Sequence, residues 1–192
     1  FILCFTLQLF FGYLIIYHYT KNITYSLIAS LFFIFSPLLL YRIPIHVSLV
    51  AHWIILICLY FEIKNFKNQK RIIFYSFILP LSILIHFYFL IMVLIIKYSF
   101  LIQDYIIKRN FKKKIKEIII PIISLIFVAY ISGYFQISAF DAMGFGYGYY
   151  SFNLLGLIDS QTFNNSLDWS LFFSDINNTK GQAEGFSYLG LG

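Results

Sequence analysis

An all-α, polytopic transmembrane protein is the fold class this sequence predicts, on three observations. Hydrophobic residues make up 60% of the 192-residue chain and charged residues only 11%, with a mean hydropathy of +0.81. A soluble domain of that composition would have almost no polar surface to show to water. Six long apolar stretches fill the first 135 residues, and Lys and Arg collect in alternate gaps between them.

Roughly 20 apolar residues cross a hydrocarbon core of about 30 Å, so spans are expected at 1–17, 23–41, 45–61, 72–87, 88–107 and 117–135. The first is an uncharged run ending ahead of Lys21. The second runs up to Arg42, and the third follows Pro44, a residue suited to the first turn of a helix. The stretch 72–107 has to be two crossings. At about 1.5 Å per residue it would otherwise form a rod of roughly 54 Å, too long for one bilayer. A tight reversal near His86-Phe87-Tyr88 resolves this. The sixth span follows the lysine-rich segment 108–116.

The charges give an orientation. Lys21 lies in the gap 18–22. Lys64, Lys67, Lys70 and Arg71 lie in 62–71. Lys108, Arg109, Lys112, Lys113, Lys114 and Lys116 lie in 108–116. The six-span reading puts these eleven of the 14 basic residues on one side, and the positive-inside rule makes that side cytoplasmic. The +6 net charge is then a property of basic loops, and no nucleic acid is needed to explain it. Lys97 falls within a span. The expectation is that the fifth helix ends near it, with 98–116 along the membrane surface; the alternative is a buried partner such as a lipid phosphate. From 136 onward Gly, Asn, Ser and Asp enter. The segment 136–192 is expected to be an extracytoplasmic loop region after a transmembrane region at 1–135. The chain reads as a piece of a longer protein, because it opens inside an apolar run without an initiator Met.

The joint excess of Phe, Ile, Tyr, Asn and Lys is the kind of bias an AT-rich genome imposes, so no aromatic residue gains weight from the 22% aromatic share. Cys4 and Cys58 both fall within spans, which argues against a structural disulfide. The external ends of the helices hold a small polar set: Arg42 and His46 where the second span turns into the third, His52 deeper, and His86 at the reversal. His46 and His52 are six residues apart, about 240° around a helix, so they do not form a metal pair by spacing. Arg42 and His46 can point at one ligand, and a guanidinium suits a phosphate or pyrophosphate oxygen. The plainer account makes Arg42 a lipid head-group anchor and the histidines partners in interhelical hydrogen bonds.

The run Gly144-Phe145-Gly146-Tyr147-Gly148-Tyr149-Tyr150 lacks the spacing of a dinucleotide fingerprint and the Lys-Ser/Thr of a phosphate loop. Its rings suit either a membrane interface or stacking on sugars. Glu184, in Gly181-Gln182-Ala183-Glu184-Gly185-Phe186, is a carboxylate ligand, acid or base, or a solvated loop acid. There is no Cys-x-x-Cys, His-Glu-x-x-His, Gly-x-Ser-x-Gly or Asp-x-Asp. No cofactor is identified, and a divalent metal stays open.

The segments His46-Val47-Ser48-Leu49-Val50-Ala51-His52-Trp53, Leu84-Ile85-His86-Phe87-Tyr88, Gly146-Tyr147-Gly148-Tyr149-Tyr150-Ser151 and Gly181 to Gly190 resemble a family of bacterial multi-pass membrane proteins of unknown function, grouped with the GT-C glycosyltransferases. The resemblance covers about 40–192. It implies a bacterial cytoplasmic-membrane enzyme that takes a sugar from a polyprenyl-phosphate donor on the external leaflet. Arg42 and His46 would hold the donor phosphate, His52 and His86 would shape the site, and the loop bearing Tyr147 and Glu184 would cover the sugar or acceptor. The usual catalytic acid of GT-C enzymes sits in the first external loop, ahead of Phe1 under this reading, so no catalytic residue is named. Phe87 stands where the family pattern has proline. Two other classes stay open: a transporter or flippase for lipid-linked sugar or polymer, and a non-catalytic assembly subunit.

Overall fold

The computed structural model describes residues 2–36, 39–40, 47–108 and 114–136. The chain forms two compact units, one of Phe1–Phe33 and His46–Gln136, the other of Ile34–Ile45 and Ile137–Gly192. The first unit carries α1 (Ile2–Thr20), most of α2 (Ile23–Ile34), α3 (Trp53–Ile63), α4 (Asn68–Ile85), α5 (Phe87–Lys108) and α6 (Ile115–Ile131). Short 3-10 turns lie at Val47–Val50 and Tyr134–Gln136.

Two of these helices, Ile2–Thr20 and Phe87–Ile107 within α5, are long and apolar enough to cross a membrane. That corrects the expectation of six. The second expected span stops at Ile34 after 12 residues. The third is a 3-10 turn followed by the 11 residues of α3. The fourth spends its first turn on Asn68, Gln69, Lys70 and Arg71. The sixth has 17 residues, roughly 26 Å at the usual helical rise and short of a full hydrocarbon core. Apolar composition alone did not reveal where each helix breaks.

The α1–α2 turn is set locally. Lys21 takes a left-handed conformation (φ 53°), and the Asn22 side chain accepts the Tyr25 N–H at 3.1 Å, capping the first turn of α2. Gly12 admits the Phe33 ring, since a Cβ there would lie 2.7 Å from it. The break between α4 and α5 is at the expected place. His86 is extended (φ −167°, ψ 137°), and the Tyr134 hydroxyl donates to the Ile83 carbonyl at 2.7 Å, satisfying a carbonyl that the ended helix leaves open.

The core lies among α3 to α6. Ile54 and Cys58, then Tyr75, Ile78, Leu79 and Ile83, then Phe89, Leu90 and Val93, with Ala129, are buried together. Their spacings of three and four put each set on one helix face. Cys58 is a buried free thiol and Cys4 is also free. Outward faces are apolar too: Phe10, Ile28, Phe77, Ile95, Ile102 and Phe127 are exposed. Such surface fits a lipid environment better than water.

Pro80 is buried inside α4. A proline has no N–H for the carbonyl four residues earlier, which here belongs to Ser76. The Ser124 hydroxyl of α6 donates to that carbonyl at 2.7 Å, so the neighbouring helix supplies the missing donor. Ser124→Ala is expected to cost about 1–3 kcal/mol, the range for an unsatisfied buried acceptor. In a Pro80→Ala background, where a backbone N–H is restored, the same change should cost clearly less. Thermal unfolding of the four proteins in detergent measures the difference.

Candidate functional site

Before Gln136 the sequence holds three acids, Glu62, Asp104 and Glu117. All three meet around one guanidinium. Glu62 closes α3, Arg71 opens α4, Asp104 lies near the end of α5, and Lys114 and Glu117 lie at the start of α6. Arg71 Nη2 is 2.8 Å from Glu62 Oε2, Nε is 3.4 Å from Glu117 Oε2, and Nη1 is 3.6 Å from Asp104 Oδ2. Lys114 Nζ bridges Asp104 at 2.9 Å and Glu117 at 3.1 Å. The Tyr75 hydroxyl donates to Glu62 Oε1 at 2.6 Å. The Arg71–Glu62 contact is ionic in character, because neither Nη2 nor Oε2 has an aligned hydrogen-bond partner.

These groups are deep. The Arg71 side chain is 4% exposed, Glu62 0% and Glu117 3%. Burying ions is costly unless each faces an opposite charge, and here each does. Two of the basic residues expected to be loop charges, Arg71 and Lys114, are therefore structural ions.

Lys97 completes the set. Helix α5 runs unbroken past it to Lys108, which corrects the expectation that the helix ends near Lys97 and continues along the surface. Lys97 is 1% exposed. Its ammonium lies over two rings, 5.1 Å from the centre of Tyr75 and 5.5 Å from that of Tyr98, within cation–π range. It makes no hydrogen bond among the described residues, and Glu117 and Glu62 are the anions acting on it. Among the described residues, three cations and three anions thus meet inside one helical unit.

An open cleft of about 400 Å³ borders this network, lined by His18, Tyr19, Asn65, Arg71, Phe100 and Gln103 together with Glu62 and Asp104. It gathers the ends of α1, α3 and α5 with the start of α4. The flanks of all three basic gaps meet here.

The other end of the unit holds the expected histidines. The His52 ring, just before α3, meets Phe89 edge-on at 5.8 Å. His86 lies beside it in the chain path: its carbonyl accepts the Phe89 N–H at 3.0 Å, and its Nδ1 accepts the Tyr88 N–H at 3.2 Å. The His86 ring itself packs on Tyr88, with centroids 4.6 Å apart. Arg42, His46, Tyr147 and Glu184 lie outside the described residues. Among the described residues no three His, Cys, Asp or Glu side chains form a set that could hold a metal ion.

A family model described as a domain of unknown function (DUF6311) matches residues 1–192. The chain belongs to that family. No curated protein and no solved structure matches it. The DUF6311 chain therefore has two polar ends. The histidine end was legible as scattered polar residues among apolar ones. The ionic centre was not, although three acids in an otherwise basic and apolar stretch were its signal.

Arg71→Met would leave Glu62 with the Tyr75 hydroxyl alone, and Asp104 and Glu117 sharing Lys114. It is expected to cost about 3–5 kcal/mol, as for a buried pair that loses one partner. Lys67→Met, at an exposed position on the same loop, should stay within about 0.5 kcal/mol. Thermal unfolding of both variants in detergent checks the contrast.

Proposed function

We propose that this DUF6311 chain is part of an integral membrane protein of the bacterial cytoplasmic membrane that transfers a sugar from a polyprenyl-phosphate donor at the external leaflet. The observation that carries the reading is the separation of the two polar ends. The His52 ring meets Phe89 at one end, where His86 marks the break between α4 and α5, and the basic gaps flank the ionic cleft at the other. With the basic end facing the cytoplasm, the imidazoles face outward. Arg42 and His46, close in sequence to the turn at Val47–Val50, are then available to a phosphate at the external surface. The region 136–192, with Tyr147 and Glu184, follows the Tyr134–Gln136 turn in sequence and falls on the external side under this reading. Phosphate is the leaving group, so a cation that binds it more tightly as charge develops lowers the barrier. Loss of such a group typically costs about 10²-fold or more in turnover.

A lipid-linked sugar flippase is the second reading. It is favoured by Lys97, which lies buried within a helix long enough to span, where transporters place ionisable groups.

Arg42→Ala is expected to lower sugar transfer from a polyprenyl-phosphate sugar in membranes by about 10²-fold; unchanged turnover removes Arg42 from the site. Orientation has its own check. In a background without Cys4 and Cys58, a membrane-impermeant maleimide added to intact cells should label Phe135→Cys and spare Lys64→Cys. The reverse labelling pattern would invert the topology and end the external-leaflet reading.

A further inference from the structure

The cleft beside the ionic centre has a polarity of its own, distinct from anything at the histidine end. On one side stands Asp104, the most open acid of the network with a side chain 17% exposed. On another stands His18, whose Nδ1 is buried without a hydrogen-bond partner. Two cations adjoin the lining in the chain: Lys64 stands between the lining residues Ile63 and Asn65, and Lys21 two residues after Tyr19. Both are exposed, and they are steadied over the Tyr17 and Tyr60 rings at 6.0 and 5.7 Å. The lining itself carries exposed amides at Asn65 and Gln103 and apolar surface from Ile63, Phe100 and Ile107, and the two lysines stand at its edge. Among the described residues the ions behind the cleft balance one another, so a ligand of net charge gains little from them. A ligand neutral overall but carrying both signs gains at each side.

We propose that this cleft binds a zwitterionic amine–phosphate, the head group of an ethanolamine phospholipid. The phosphate oxygens face His18, Lys21 and Lys64. The primary ammonium donates to Asp104, with the Gln103 and Asn65 amides between them. Glycerol and the first acyl carbons lie along Phe100 and Ile107. A primary ammonium has hydrogens to donate to a carboxylate, and a quaternary one does not. The site therefore prefers ethanolamine to choline heads. An anionic glycerol head brings no cation to the exposed edge of Asp104. The assignment rests on the membrane reading only for the source of the head group; the chemistry of the cleft stands without it.

The test uses the full chain in a detergent without phosphate or amine groups, with soluble glycerophosphoethanolamine, glycerophosphocholine and glycerophosphoglycerol as probes followed by saturation-transfer NMR. A second arm measures retention of ethanolamine, choline and glycerol phospholipids in nanodiscs. The ethanolamine probe should bind best. Lys64→Ala and Lys21→Asn, which removes charge while tolerating the left-handed backbone, should each weaken it about fivefold, the effect of roughly one kcal/mol per surface cation. Asp104→Asn should erase the preference over choline; because it touches the ionic network, the two lysine variants at exposed positions carry the test if it does not fold. Ethanolamine selectivity in both arms assigns the site to lipid, and selectivity in the soluble arm alone assigns it to a free amine–phosphate. Equal binding of the three heads, preference for glycerol heads, no binding, or indifference to Lys64→Ala and Lys21→Asn overturns the proposal. Each of these outcomes is independent of sugar transfer, which reads Arg42 at the other end.

Discussion

Everything described in the first unit is organised by one ionic contact set, the Arg71 guanidinium among Glu62, Asp104 and Glu117. Each carboxylate comes from a different helix, and the guanidinium comes from a fourth. In a chain this apolar, helix-to-helix contact between greasy faces has little directional preference, because one aliphatic surface packs on another about as well as the next. Charges do have a preference. An ion withdrawn from water is tolerable only where its partner stands, so these residues determine which helix ends meet and at what depth. Lys114, bridging two of the same acids, extends that constraint into the start of α6.

Tyr75 links the centre to the interior. Its hydroxyl serves Glu62 while its ring faces Lys97, so one side chain satisfies an anion at its edge and a cation at its face. That arrangement explains how a lysine can lie within a long apolar helix without reaching either end. The core residues Ile78, Leu79, Phe89 and Val93 exclude water around it, which strengthens the electrostatic attraction.

Several features could be read from sequence because they depend on local chemistry. The helix break at His86 followed from the length of an uninterrupted apolar run, and the α1–α2 turn from the gap with Lys21 between two such runs. The meeting of the basic gaps at one end followed from charge alternation. Others could not. A helix apolar on all sides gives no periodic signal of which face is buried, so the end of α2 at Ile34 and the short α3 were hidden inside runs that looked long enough to span. Arg71 was read as a loop charge because two of its partners lie 33 and 46 residues away, and Lys114 because it falls in a run of lysines that gives no sign which one is buried. His52 and His86 were singled out as polar residues among apolar ones, and it took the fold to show the His52 ring against Phe89 and the His86 ring against Tyr88.

The proline in α4 has a geometric consequence. Because the carbonyl it frees is answered by a single hydroxyl on α6, the two helices are pinned at one height. A rotation or a slide of half a turn would leave that oxygen facing hydrocarbon. The irregularity in one helix thus serves as a register mark for its neighbour, and it lets the pair bend about the pin more easily than it lets them shear past it.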